Sequence, residues 1–169
     1  MKTGKMLLAS VLMALPLMAA TPGYVAQINK GFKQETKDAA KYVKFITPAQ
    51  LHNWIKKNKI FTIIDVREKS ETTAMQIDWP DSDFIPRGVL EDKIHGAVNV
   101  DPSAFNPNHV YVMVCRTGHR ATLAGAELVK YFHFKHVYVL KGGILGWLKA
   151  GYHVIDGRYF LPLKLVKKK

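Results

Sequence analysis

Three short apolar runs constrain the fold of this chain more than any other feature: Phe-Thr-Ile-Ile-Asp-Val at 61–66, Val-Tyr-Val-Met-Val at 110–114 and Val-Tyr-Val-Leu at 137–140. Nearly continuous runs of this length, rich in β-branched and aromatic residues, mark strands covered on both faces, as in a parallel sheet. The stretches between them carry helical signals. Thr47-Pro48-Ala49-Gln50 supplies an N-cap, a proline at the first helical position and a capping-box partner at the third, and Leu51, Trp54 and Ile55 then share one face. A helix from Pro48 to about Asn58 follows, with Phe45-Ile46 before it as a short edge strand. Ala121, Ala124, Gly125, Leu128 and Phe132 recur at helical spacing, and the small residues let that helix lie close to a sheet. A short helix holding Trp147 and Leu148 comes after 137–140. Strands alternating with helices predict right-handed crossovers and a doubly wound α/β parallel sheet flanked by helices. A chain of 169 residues, 48% hydrophobic and 22% charged, suits a single domain with a full core.

Ligands of such sheets sit beyond the carboxyl ends of the strands, so the residues just after each run are the functional candidates. Asp65 with Arg67 follows one run, Lys141-Gly142-Gly143 another, and Cys115-Arg116-Thr117-Gly118-His119-Arg120 the third. Cys115 is the only cysteine. A strand, a tight turn and a helix place it above a helix N-terminus, where amides without intrahelical partners and the aligned peptide dipoles favour an anion. Arg116 and Arg120 add two full charges, which favours thiolate over thiol. A lone cysteine after a buried strand is otherwise a small core hydrophobe. Two arginines and a glycine within five residues point instead to a reactive sulfur, which reagents must be able to reach.

These residues resemble the active-site loop of the rhodanese family, Cys-Arg-x-Gly-x-Arg. Asp65-Val66-Arg67-Glu68 resembles the family's strand-ending Asp-Val-Arg, and Gly142, Gly143, Trp147 and Gly151 match its C-terminal Gly-Gly-x-x-x-Trp-x-x-x-Gly. The likeness spans residues 45–156. It implies that Cys115 is a sulfur carrier that becomes a persulfide, that the loop amides cradle it, and that Arg116, Thr117, Gly118, His119 and Arg120 bind an anionic donor such as thiosulfate. Related cell-cycle phosphatases carry a loop one residue longer; the six-residue count here favours sulfur. Asp65 and Arg67 are read as a supporting ion pair that fixes a turn, and His119 as close to substrate. No metal or organic cofactor is required. His133 and His136 have ligand-like spacing, but a metal site needs three or four convergent ligands.

Between 69 and 110 two segments compete for one topological slot. Residues 83–91 resemble the strand-to-helix passage of some exported rhodanese-like proteins, whereas 93–100 has the glycine and alternation of the commoner family motif and lacks its proline. The first is preferred, with Phe84-Ile85 as strand and a helix starting from Val89 to about Ile94. Residues 72–83 then form an insertion near the site.

The N-terminus has a different character. Lys2 and Lys5 precede an apolar run over 6–20, the outline of a secretory signal with its end after about Ala20 or Ala26. Fifteen apolar residues interrupted by Pro16 are short for a bilayer span. Residues 27–44 read as a basic linker or a leading helix and 157–169 as a basic tail. The expectation is an exported, periplasmic protein whose single thiol, having no internal partner, passes its sulfur to an external acceptor. The formal charge of +12 steers small anions inward. No nucleic-acid motif accompanies it. Lys164 and Lys167-Lys168-Lys169 suit weak contact with an anionic membrane surface.

The resulting expectation is a sulfurtransferase taking a sulfane sulfur from a small anionic donor to a thiol, cyanide or protein acceptor. The alternatives are a non-catalytic persulfide carrier and a cysteine-based phosphatase or arsenate reductase.

Overall fold

A computed structural model describes residues 22–156 and 161–163 of the chain. The apolar run over 6–20 read as a secretory signal and most of the segment read as a basic tail lie outside the described residues. Helix α1 (Pro22–Ala39) leads into strand β1 (Lys44–Ile46), helix α2 (Pro48–Lys56), β2 (Thr62–Asp65) and α3 (Lys69–Ala74). Then come β3 (Ser82–Phe84), a 3-10 turn (Arg87–Val89), α4 (Leu90–Val100), β4 (Val110–Val114) and α5 (His119–Tyr131). Strand β5 (His136–Leu140), α6 (Gly143–Lys149), β6 (Val154–Asp156) and β7 (Leu161–Leu163) complete the order.

Five strands form one parallel sheet in the order β1-β5-β4-β2-β3. Period-2 alternation sends their side chains into two cores. Ile64, Met113, Val137 and Val139 pack with Leu90 and Ile94 of α4 and with Ala121, Ala124 and Leu128 of α5. On the opposite face Ile63, Val112, Val114 and Leu140 pack with Leu51 of α2 and with Ile144 and Trp147 of α6. Helices on both faces of a parallel sheet make this a doubly wound single domain. The small residues of α5 have the expected cause: a Cβ on Gly125 would lie 3.0 Å from Val43 and 3.1 Å from Val137.

Of the two competing segments, β3 and the turn after it fill the slot, and 93–100 is helical within α4. The position of the 72–83 segment departs from expectation. Only its beginning, in α3, adjoins the carboxyl rim. Its far part runs to the opposite end of the sheet, because a strand parallel to β2 must start where β2 starts. There the Trp79 ring stacks on Phe61 at 4.5 Å, its Nε1 donates to the Phe61 carbonyl at 3.0 Å, and the Ile63 amide donates to the Asp81 carbonyl.

Regular elements also form toward both termini. Helix α1 starts at Pro22, so a cleavage after Ala26 falls inside it. In the region read as a tail, Leu161–Leu163 pairs antiparallel with Val154–Asp156, and Gln76 bridges to Ile155. Among the described residues, no helix is long and apolar enough to cross a membrane.

Candidate active site

Strands β2, β4 and β5 end on one rim and bring together the three segments singled out above. Asp65 of β2 lies beside Val114 of β4, and the Val66 amide donates to the Val114 carbonyl at 2.8 Å. Cys115 is the first residue past β4. The chain then turns through Arg116 and Thr117 to Gly118, whose φ of +104° is a left-handed conformation that glycine adopts without Cβ strain. Helix α5 begins at His119, two residues earlier than the apolar spacing indicates, because the left-handed Gly118 serves as its N-cap. That turn points the Gly118 amide back at Cys115 Sγ, to which it donates at 3.1 Å.

Cys115 is 1% exposed, which departs from the expectation of a sulfur open to reagents. The sulfur lies at the floor of the loop. Arg116 and Thr117 project outward from it, exposed, and Arg116 forms no ion pair among the described residues. Any reagent therefore has to be small enough to come down among the loop atoms.

The second arginine has a partner that the sequence reading missed. Arg120 donates from both Nη atoms to the two carboxylate oxygens of Glu71, each at 2.8 Å. Glu71 Oε2 also accepts from the Glu68 amide at 3.1 Å, so one carboxylate caps α3 and clamps the start of α5. Hydrogen bonding from Arg120 holds the Glu71 carboxyl down, from its ordinary 4.5 to about 2. Arg120 is pushed further up, by Glu71 first and to a smaller extent by the charge of Cys115. The positive charge is thus near the sulfur but already engaged, and Arg120 is a loop brace more than a free anion receptor. The available signal was Glu71 itself, an acid three residues after Glu68 in a capping position.

Asp65 and Arg67 form a buried pair, 3% and 2% exposed at their side chains. Arg67 Nε donates to Asp65 Oδ1 at 2.9 Å and Nη2 to Oδ2 at 2.6 Å, while Nη1 and Nη2 also reach the carbonyls of Glu71 at 3.1 Å and Met75 at 2.7 Å. Burial pushes the Asp65 carboxyl up against the pull of Arg67. The guanidinium ties the middle of α3, at Glu71, and the residue after its end, Met75, to β2, which positions Glu71 for Arg120. The pair bonds within itself and to carbonyls of the α3 segment, and its geometry is that of a frame.

The third segment buttresses the loop from the other side. At the start of α6 the amides of Ile144 and Leu145 donate to the carbonyls of Cys115 and Arg116 at 2.8 and 3.1 Å. This approach needs Gly143, since a Cβ there would lie 2.3 Å from the Cys115 oxygen. Gly146 likewise admits the Lys141 carbonyl, 2.6 Å from where its Cβ would be, and Trp147 anchors α6 by donating to the His153 carbonyl at 2.7 Å. His119 is exposed; its ring meets Phe32 of α1 edge to face at 5.1 Å, and its Nδ1 is 3.2 Å from Thr117 Oγ1.

The profile of the rhodanese-like domain matches residues 47–150. The chain belongs to the rhodanese-like family. This rhodanese-like chain is 31% identical over 114 residues to the probable adenylyltransferase/sulfurtransferase MoeZ of Mycobacterium tuberculosis, covering 66% of this chain. It spans only 27% of that relative's length. The polysulfide-sulfur transferase homodimer of Wolinella succinogenes superposes with a TM-score of 0.61 at 26% identity, over 84% of this chain and 93% of that one. A Rhodopseudomonas palustris protein described as a possible tyrosine phosphatase superposes with a TM-score of 0.57 at 26% identity, over 72% and 91% of the two chains. Sulfurtransferases are thus among the relatives of this rhodanese-like domain.

Loss of the Glu71 clamp has a measurable consequence. Glu71→Gln is expected to lower folding stability by about 1 kcal/mol, since both partners are near one-third exposed and the pair is screened. A carboxyl held below its ordinary value stabilises the fold fully above about pH 4.5, and that contribution is lost as pH falls toward about 2. Urea titrations of the two proteins should therefore converge over that window. A gap that stays constant down to pH 2 contradicts the assignment.

Proposed function

We propose that this chain is a sulfurtransferase that carries sulfane sulfur on Cys115. The observation that supports this best is the Gly118 amide aimed at Cys115 Sγ within a six-residue loop braced on both sides. A donor amide at that distance stabilises charge on sulfur. The Cys115 thiolate attacks the outer sulfur of thiosulfate; the donor's S–S bond breaks, its electron pair leaves with sulfite, and a Cys115 persulfide forms. A thiolate or cyanide then attacks the outer sulfur of that persulfide, taking it away and restoring the thiolate. No external oxidant or reductant enters the cycle.

With Arg120 engaged by Glu71, the departing sulfite is assigned to Arg116, the exposed cation of the loop. The sulfurtransferase character of the MoeZ and Wolinella relatives supports sulfur transfer as the reaction class. Thiosulfate is the proposed donor because it is compact enough for a sulfur only 1% exposed. Export to the periplasm belongs to the same proposal and rests on Lys2, Lys5 and the apolar run over 6–20.

Intact-protein mass spectrometry tests the reading. Incubation with thiosulfate should add one sulfur atom, and a thiol or cyanide should remove it. Absence of the gain overturns the proposal; a gain that no acceptor removes makes the protein a persulfide carrier instead of an enzyme. Hydrolysis of a phosphate ester faster than consumption of thiosulfate also overturns it.

A further inference from the structure

Beside the loop lies an open hollow of about 330 Å³, walled by Thr36 of α1, Phe45 of β1, Thr117, His119, Leu140 and Lys141. Its inner surface includes Gly118, the residue whose amide holds Cys115 Sγ. Two of its walls, α1 and β1, lie outside residues 47–150, the span that the family profile matches. Phe32 packing on His119 is what brings α1 over the loop.

The chemistry of the walls is divided. Phe45, 40% exposed, offers apolar surface. Lys141 offers a cation, exposed and without an acidic partner among the described residues, while the Thr36 hydroxyl donates to the Phe32 carbonyl at 2.9 Å and Thr117 Oγ1 is engaged by His119 Nδ1. Thiosulfate has no apolar portion to place against a phenyl ring, and its volume is far below that of the hollow. A space near the lower end of the range for small-molecule sites, with one unpaired cation and one aromatic wall, suits a molecule with both methylenes and a carboxylate.

We infer that this hollow recognises the organic body of a small carboxylate-bearing thiol, the sulfur acceptor, with Lys141 pairing the carboxylate and Phe45 covering the methylenes. The inference rests on the sulfurtransferase reading for the acceptor's role, while the binding itself does not. It makes Lys141 a specificity-determining residue. A carboxylate held there presents its thiol toward the loop, and the acceptor thiolate attacks the outer persulfide sulfur, whose S–S bond breaks with its electron pair leaving on the Cys115 thiolate.

The test uses 3-(methylthio)propionate, which has the carboxylate and methylenes but no thiol and so cannot accept sulfur. Isothermal titration into the full chain should detect binding, weakened about fivefold by Lys141→Gln, in the range set by one solvent-exposed ion pair. Thr36→Trp, which fills the hollow, should abolish it, with circular dichroism confirming that the variant is folded. In turnover, Lys141→Gln should erase the preference in KM for 3-mercaptopropionate over uncharged 2-mercaptoethanol. Equal binding by all three proteins, or an unchanged acceptor preference, overturns the inference. Because the titration needs no persulfide, binding without sulfur loading on Cys115 defeats the sulfurtransferase reading alone, and loading without binding defeats the hollow alone.

Discussion

Cys115→Ser is expected to abolish sulfur transfer, by at least roughly three orders of magnitude in kcat/KM, while leaving the fold intact. The size follows from removing the nucleophile itself: a hydroxyl is a far weaker nucleophile than a thiolate and forms no persulfide. Stability should change little. Serine is close to isosteric with cysteine, and its oxygen can still accept from the Gly118 amide that now meets Sγ at 3.1 Å. The informative readings are thiosulfate:cyanide turnover, the intact mass after thiosulfate and the thermal midpoint, measured on the same preparation. Substantial turnover by a folded Cys115→Ser protein removes Cys115 from the mechanism. A variant that fails to fold is separated from this outcome by Cys115→Ala, which tests the same chemistry without a buried hydroxyl.

Gly143→Ala should produce the next largest effect, through packing and not chemistry. A methyl at this position would lie 2.3 Å from the Cys115 oxygen and 2.7 Å from the Arg116 carbonyl, and the backbone holds a φ of +56°. The contacting atoms are backbone, so relief requires α6 and the loop to separate. That movement disrupts the bonds from Ile144 and Leu145 to the loop carbonyls. Overpacking together with left-handed strain costs about 3 kcal/mol, a fall of roughly 6–12 °C in the thermal midpoint for a chain of this size. A loop displaced by about 1 Å should lose on the order of 100-fold in transfer. Gly151→Ala is the matched control. Its φ of +83° imposes the strain, but nothing lies within 4 Å of its Cβ, so it should cost only about 1 kcal/mol and leave transfer nearly unchanged. Equal effects at the two positions would show that α6 does not support the loop.

Local sequence carried much of the fold because each signal reflects a short-range preference. The capping box of α2 is present, with the Thr47 hydroxyl accepting from the Gln50 amide and the Thr47 amide donating to Gln50 Oε1. The apolar runs of β2, β4 and β5 are buried on both faces because helices cover both sides of the sheet. Their residue types therefore had to be apolar almost throughout. Errors collected where a nonlocal contact decides. The segment over 72–83 was placed near the site as one piece, yet its course depends on β3 pairing in parallel with β2, and no periodicity within twelve polar and mixed residues encodes a partner strand. The start of α5 at His119 depends on Gly118 being left-handed, a conformation selected by the sulfur contact and the packing against α6.

The site divides along the same line. That Cys115 would stand in an electropositive turn beyond a strand, with Asp65, Arg67 and Gly142-Gly143 on the same rim, was determined by residue type and position alone, since strand ends in a parallel sheet converge whatever joins them. How the charges are spent was not. Arg116 and Arg120 look equivalent in the sequence, but the fold brings Glu71, 49 residues away, against one of them and leaves the other exposed. Burial of Cys115 and the hollow formed by α1 and β1 are likewise products of distant segments meeting. Charge and nucleophile are properties of single residues; exposure, pairing and shape arise only from the packing of several.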